Sequence, residues 1–460
     1  MWRCAFGGRQ SASACSCIEA LLCRYRDVLG AETESLPMSL ERQSDLMRQS
    51  ATSDTLGRYY TSTSVSGVLV DAVNGIRPKV VLELGAGHGS ITTAAARKWS
   101  NAQLVTVDTD LDATPTVRGV GQDTAHTHHV HDALDDALAD RIGLSLGSVD
   151  VGLCNPPYVR PRWRASFGRI LEDAGFSGAL KSIHDAGADL LFIAQNLRLL
   201  KRRGKLGLVL PDGLIAGEKF QGVRSVLLRE HSVEQVIQLP RRVFSRTEAQ
   251  TYLVVLSKQA GETESVALRA MNVDGSLSEP VYVAQDQACR RLDYGFHAFG
   301  VSRQRPPRSP SKLLLGDVAE ELFRGSLNSN ELRSLGLPVF HLGDFPDAVL
   351  NQPPPSVPTS FIHSKRNLSI LRSNIRIAEA GDILMARIGR NLHEKICVVR
   401  RGACIVSDCI FVLRVAPTHH AAVLSFLVSK TGRSAIEAAA HGVGAKYLSR
   451  SDLLELVIPL

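Results

Sequence analysis

Asn155-Pro156-Pro157-Tyr158 stands directly after the apolar run Val149-Asp150-Val151-Gly152-Leu153-Cys154, and its residue types suit methyl transfer to an amino group. An exocyclic amine on a base, or an amide, has a delocalised lone pair and must become more sp³-like before it can attack a methyl sulfonium. Acceptors aimed at its two N–H groups favour that change. The Asn155 side-chain oxygen and the Pro156 carbonyl can supply two of them, because paired prolines fix φ and hold the turn open at a strand end. Tyr158 offers a flat face for a planar substrate. A proline-rich turn after a buried strand is the bland alternative, and the residues upstream weigh against it.

Those residues are Val80-Val81-Leu82-Glu83-Leu84-Gly85-Ala86-Gly87-His88-Gly89, followed by the helix-compatible Ser90 to Arg97. They read as strand, glycine turn and helix, in which Gly85, Ala86, Gly87 and Gly89 let the backbone approach a nucleotide-like ligand at the end of the first strand of a doubly wound sheet. Glu83 lies inside the apolar strand, where a carboxylate is costly without a partner. A second strand, Leu104 to Val107, ends in Asp108, an acid spaced to suit the ribose hydroxyls of an adenine dinucleotide or of S-adenosylmethionine. Asp132 follows a further short segment and is placed to accept from a cofactor's adenine amine. The tetrapeptide favours the sulfonium cofactor, since hydride transfer has no evident use for it.

In this order the motifs resemble those of the amino-group DNA methyltransferases, the adenine-methylating kind in which a target-recognition region follows the catalytic domain. The resemblance implies a Rossmann-like α/β catalytic domain that binds S-adenosylmethionine. Gly57-Arg58-Tyr59-Tyr60-Thr61, with amphipathic Val65 to Val73, is similar to the amino-terminal segment that closes over the methionine part of the cofactor, and it adds Tyr60 and Thr61 to the expected cofactor residues. A proline often follows that threonine in the family, and Ser62 stands here instead. Asp189 to Leu200, Gly204 to Pro211, Leu239 to Phe244 and Thr251 to Leu256 resemble the remaining catalytic elements. The matches run from about residue 55 to 258. Asn155, Pro156, Pro157 and Tyr158 are then the expected catalytic residues, Asn155 also touches the cofactor, and Tyr158 with Phe244 is expected to stack on the base.

The chain has 460 residues, 44% of them hydrophobic, enough for two cores of ordinary size. No apolar stretch is long enough to span a bilayer, so no membrane partner is expected. Nine cysteines without paired C-x-x-C units argue against a disulfide framework or a structural zinc, and a cytoplasmic setting is the simplest. Cys154 reads as a small core residue, and His126, His128, His129 and His131 as a solvated loop before Asp132; no metal is expected. The first 50 residues, with Cys4, Cys15, Cys17 and Cys23, read as a disordered extension or an early start, Met38 or Met47 being the alternative beginning.

The carboxyl-terminal part carries the charge. From Gln285 to Leu460 there are 22 Lys and Arg against 15 Asp and Glu, which accounts for the whole formal charge of +7. Such a bias suits phosphate neutralisation. A stretch rich in arginine and proline, Arg303 to Pro310, marks a linker. The expected organisation is residues 1–50 as extension, 51–285 as catalytic domain, 286–312 as linker and 313–460 as recognition domain. The last part resembles one target-recognition domain of type I specificity subunits, which implies a mixed α/β fold that reads base edges of double-stranded DNA. Arg324, Lys446 and Tyr447 are its candidate DNA contacts. The resemblance leaves room for a separate restriction endonuclease or a partner subunit. Cytosine 4-amino methylation, glutamine methylation of release factors and an inactive DNA-binding specificity protein are the rival readings.

Overall fold

Strands with apolar residues on both faces must be covered on both faces. The structure, a computed structural model, describes residues 61–459 apart from 112, 114–124, 242, 245–249, 305–311, 327–330, 332–335, 365–367, 369–374 and 443–445. Tyr60 and the amino-terminal extension therefore lie outside the described residues. Up to residue 284 the elements are α1 (Thr63–Ala72), β1 (Val80–Leu84), α2 (Ser90–Lys98), β2 (Gln103–Asp108), β3 (His126–Val130), α3 (Leu138–Arg141), β4 (Val149–Cys154), α4 (Ala165–Asp173), α5 (Ala188–Leu199), β5 (Leu200–Pro211), α6 (Asp212–Ala216), α7 (Gln221–Glu230), β6 (Ser232–Gln238), β7 (Thr251–Ser257), β8 (Ser265–Ala270) and β9 (Val281–Ala284).

These strands form one mostly parallel sheet in the order β3-β2-β1-β4-β5-β7-β6-β8-β9. Leu82, Leu84 and Val107 face a core shared with α4, α5 and α7. Val81, Val151 and Leu153 face the opposite layer, built by α1 and α2. The chain runs outward from β1 to β3 and then returns to place β4 on the other side of β1. Such a reversal opens a crevice at the carboxyl ends of the two central strands.

Asp150 ties the amino ends of the central strands. Its Oδ2 accepts the backbone N–H groups of Lys79 and Val80, both at 2.9 Å, and its Oδ1 pairs with Lys201. A carboxylate within an apolar strand is tolerated because each oxygen is used. Gly152 is a packing glycine: a Cβ there would sit 2.8 Å from the Asn196 side-chain oxygen and 3.0 Å from Leu206.

The expected linker is largely structured. It contains α8 (Gln285–Arg290) and α9 (Tyr294–Gln304); α9 packs on β6, β8 and β9, and Phe299 joins the apolar cluster of the carboxyl-terminal part. Their apolar residues are interleaved with the arginines, so the composition that suggested a linker hid two short helices. Most of the stretch 303–310 lies outside the described residues.

Beyond it follow β10 (Lys312–Leu314), α10 (Leu315–Val318), β11 (Ala319–Arg324), β12 (Ile377–Glu379), β13 (Ile383–Ala386), β14 (Ile388–Gly389), β15 (Ile396–Val398), β16 (Ala403–Ile405), β17 (Ile410–Val415), α11 (Pro417–Val428), α12 (Lys430–Ala439), β18 (Lys446–Tyr447), α13 (Arg450–Leu454) and β19 (Val457–Pro459). An antiparallel sheet β11-β17-β13-β15 is the centre of this mixed α/β part. Ile383, Met385 and Leu413 pack toward α11 and α12, while Leu384 and Val412 point into a second cluster with Phe340.

Residues 56–460 cluster as one compact unit. A buried polar seam joins its two parts. Arg291 makes a two-pronged contact with Asp293, at 2.7 and 3.0 Å, and reaches the Ala439 carbonyl at 2.7 Å. His441 Nε2 sits 2.6 Å from Asp452 Oδ2. Gly442 N donates to Asp212 Oδ2 at 2.8 Å, while the Tyr252 hydroxyl donates to Oδ1 of the same carboxylate at 3.0 Å.

Candidate active site

Leu84 of β1 pairs in register with Cys154 of β4. The residues that follow them, Gly85 and Asn155, therefore emerge side by side from adjacent parallel strands. This register brings the glycine turn and the tetrapeptide together at the crevice. A cavity of about 320 Å³ opens there, lined by Thr61, Glu83, Gly85, Ala86, Gly87, Asp108, Asp132, Asn155, Pro156 and Pro157 among others. It collects nearly all the described residues expected to hold the cofactor, leaving only Gly89 outside its lining.

Gly85 has φ +77°, a left-handed conformation that side chains resist, and a Cβ there would meet the Phe192 ring at 3.5 Å. Backbone N–H groups of Gly85 and Ala86 bond to the Val107 carbonyl, at 2.8 and 3.2 Å. Asp108 Oδ2 accepts from Gly87 N at 2.8 Å and Oδ1 from Asp110 N at 2.9 Å. The acid at the end of β2 thus shapes the turn as well as facing the cavity. Gly89 is the N-cap of α2 at φ +79° and serves the turn rather than the cavity wall.

Glu83 is buried, and its partner is Thr92 on α2, whose hydroxyl donates to Oε2. Burial pushes its pKa up to about 8, against the lowering effect of that hydrogen bond. Burial also raises the Cys154 thiol well above its ordinary range, with the neighbouring Glu83 adding to the shift, so the sulfur is a core group and not a nucleophile.

Asn155 is held from two sides. Its Nδ2 donates to Thr61 Oγ1 at 3.0 Å, and the Tyr158 hydroxyl donates to its Oδ1 at 3.1 Å. The same hydroxyl lies 3.3 Å from the Val209 carbonyl of β5. Thr61, expected at the cofactor, therefore also orients the asparagine. Ser62 caps α1, its Oγ accepting from Val65 N at 3.4 Å; its φ of −68° is one that proline would share.

Asp132 uses both oxygens: Oδ1 accepts Leu134 N at 2.9 Å and Oδ2 takes Arg164 Nη2 at 2.7 Å. Arg164, Val159, Ala188 and Phe192 line the cavity without having been singled out in the sequence. Phe192 carried a signal, being a large ring in a helix that must face a glycine turn.

Other expectations are placed elsewhere. Phe244 is 3% exposed and packed in the layer with Leu239 and Leu253; it is absent from the cavity lining. Lys446 is 4% exposed with Nζ 2.8 Å from Glu437, and the half-buried Tyr447 stacks on His441 in the seam, ring centroids 5.2 Å apart. Internal contacts therefore occupy both residues proposed for DNA at that position. Arg324 is exposed at the end of β11. His126 and His128 lie on β3 and share the Thr106 hydroxyl at 2.9 and 3.0 Å, so this expected loop is a strand. No group of three or more possible metal ligands occurs among the described residues. No helix among them is long and apolar enough to cross a membrane.

The methylase subunit of the type I restriction enzyme MpnII of Mycoplasma pneumoniae is 30% identical over 128 residues, which are 28% of this chain and 23% of that one. A putative type II restriction enzyme and methyltransferase of Methanocaldococcus jannaschii is 22% identical over 125 residues, 23% of this chain and 11% of its own. The matched stretches thus span a quarter or less of these relatives. Among solved structures, the methyltransferase subunit of a type I restriction-modification system from Streptococcus thermophilus aligns over 55% of each chain at 25% identity, with a TM-score of 0.40. A model of the N-6 DNA methylase family matches residues 45–276, half of the chain and all of the sheet described above except its last strand, and the chain belongs to that family.

Proposed function

We propose that the chain is a sequence-specific DNA methyltransferase that moves a methyl group from S-adenosylmethionine to the 6-amino group of an adenine flipped out of the duplex, as the modification part of a restriction-modification system. The observation that carries this reading is the pairing of Leu84 with Cys154, which sets a cofactor-type glycine turn beside an oriented Asn155. The lining supports this cofactor: Asp108 and Asp132 both line the cavity, where they are read as partners of the ribose hydroxyls and the adenine amine, and Gly85 takes the left-handed turn beside them.

When bound, S-adenosylmethionine supplies the methyl group as an electrophile. Thr61 and Tyr158 fix the Asn155 amide, so that Oδ1 and the Pro156 carbonyl accept from the two N–H bonds of the target amine and favour its pyramidal form. Pro156, Pro157 and Val159 wall the cavity and exclude water from the reacting nitrogen. Extruding the base costs about a few kcal/mol, offset by its contacts in the pocket. Residues 313–460 are the proposed target-recognition domain. The Mycoplasma relative is named as one subunit of a type I enzyme, and a separate endonuclease or partner subunit is proposed here by analogy.

The test is long-read sequencing of modified bases in DNA from cells expressing the chain beside an Asn155→Ala control. Methyl-adenine at one recurrent motif, absent from the control, is the expected result. Unmodified DNA in both would overturn the reading for the chain acting alone, and methylation retained by the control would overturn the role of Asn155.

A further inference from the structure

Between the tetrapeptide and α4 the chain carries Arg160, Arg162 and Arg164 in alternation with Val159, Pro161 and Trp163. Val159, Pro161 and Arg164 line the cavity, whereas Arg160 and Arg162 are exposed on its outer side. Arg160 Nη2 donates to the His184 carbonyl at 2.6 Å and lies 3.3 Å from Asp185 Oδ1. Lys219 Nζ approaches the same Oδ1 at 3.0 Å. One carboxylate is therefore shared by two cations, which hold its pKa below the usual range. Arg162, two residues along, has no ion pair among the described residues.

The far end of this cluster meets the carboxyl-terminal part. Lys219 follows Glu218, whose Oε1 accepts the Ser451 hydroxyl, and both lie just beyond α6, which begins at Asp212 of the seam. Arg162, Arg160 and Lys219 thus line the surface from the lip of the cavity to the edge of the proposed recognition domain, beside the carboxylates of Asp185 and Glu218. Their side chains stay accessible, with the Arg160 side chain 66% and the Lys219 side chain 49% exposed.

We propose that the Arg162–Arg160–Lys219 ridge is a phosphate track, binding the backbone of duplex DNA between the flipped adenine and the bases read by the carboxyl-terminal part. This rests on the DNA reading above. Each cation that neutralises a phosphate contributes about 0.9 to the slope of log affinity against log salt concentration.

The experiment titrates a labelled duplex of mixed sequence with the full chain across a series of KCl concentrations, comparing wild type, Arg162→Ala/Lys219→Ala, and a control pair of exposed residues, Arg97→Ala/Arg202→Ala, in the last turn of α2 and at the start of β5. S-adenosylmethionine affinity and thermal melting establish that each variant is folded. The ridge variant is expected to keep cofactor affinity, bind duplex about tenfold more weakly and show a slope smaller by about 1.8, with the control pair close to wild type. Wild-type binding with an unchanged slope in the ridge variant, or an equal loss in the control pair, overturns the track alone. A wild-type chain that binds no duplex overturns the DNA reading, and the track with it.

Discussion

Gly442 donates its backbone N–H to the Asp212 carboxylate across 230 residues of sequence. Asp212 follows the carboxyl end of β5, the strand beside β4, so the two halves of the molecule are joined at the sheet edge that also opens the cavity. Both oxygens of Asp212 are occupied, by Gly442 and Tyr252, in a buried setting. Asp212→Ala leaves the buried Tyr252 hydroxyl and the partly buried Gly442 N–H unpaired, at about 1–3 kcal/mol for the former and less for the latter. The urea midpoint should fall accordingly, and amide exchange around residues 439–449 should accelerate more than in β1. Equal acceleration in both places would refute a local seam.

The hydrogen bonds on Asn155 separate chemistry from cofactor binding. Asn155→Ala is expected to lower kcat by at least about 100-fold. Thr61→Val removes the acceptor for Asn155 Nδ2 while keeping the shape, and a loss of about tenfold in kcat is expected. Single-turnover methylation of duplex DNA, paired with calorimetric cofactor titration, checks both. A large loss of cofactor affinity with unchanged kcat in Thr61→Val would place Thr61 at the cofactor alone.

Glu83 makes stability depend on pH in an unusual direction for a carboxylate. Its pKa rises from 4.5 to about 8 on folding, so the folded chain holds the proton more tightly than the unfolded one. The contribution is complete below about pH 4.5 and lost as pH rises through 8. Glu83→Gln keeps a hydrogen-bonding side chain without the charge. Melting scans without cofactor should show the variant about 5 °C more stable than wild type at pH 8 and similar to it at pH 4.5. Comparing the two proteins cancels the opposite trend from buried His231, whose pKa is lowered to about 4. Parallel pH profiles would show that Glu83 is ionised in the folded chain.

Gly85→Ala places a Cβ at a left-handed φ and against Phe192. The added Cβ finds ordinary contact distances, so the backbone strain is what acts at the cavity wall, and a cofactor affinity about tenfold weaker is expected, with duplex binding unchanged. Calorimetry and fluorescence anisotropy on the same preparation test this; an unaltered cofactor affinity would remove Gly85 from the site.

The cavity was legible in the sequence because its parts are local: a glycine turn, an acid ending a strand, and Asn155 ending another. Strand pairing brought them together as the doubly wound pattern implies. Phe244 was misjudged because an aromatic beside a strand end suits core and pocket alike, and only its burial separates them. Lys446 and Tyr447 were misjudged for a related reason: a cation and an aromatic give no hint that the chain after α12 folds them back onto Glu437 and His441, a few residues upstream. Arg164 escaped notice because its partner Asp132 is far away in sequence and close only in space. The helices in 285–304 were masked by a composition that also suits a linker.

The seam of Arg291, Asp293, His441 and Asp452 bears on how new specificities can arise. Because it fastens the proposed recognition part to the nine-stranded sheet, exchanging residues 313–460 for those of another protein also exchanges half of a buried ionic joint. Productive chimaeras should therefore be those that retain His441, Gly442 and Asp452 as a conserved socket and vary the exposed loops around them. In a natural lineage the same joint would channel divergence into the exposed loops of residues 313–460 while their distance from the cavity stays constant.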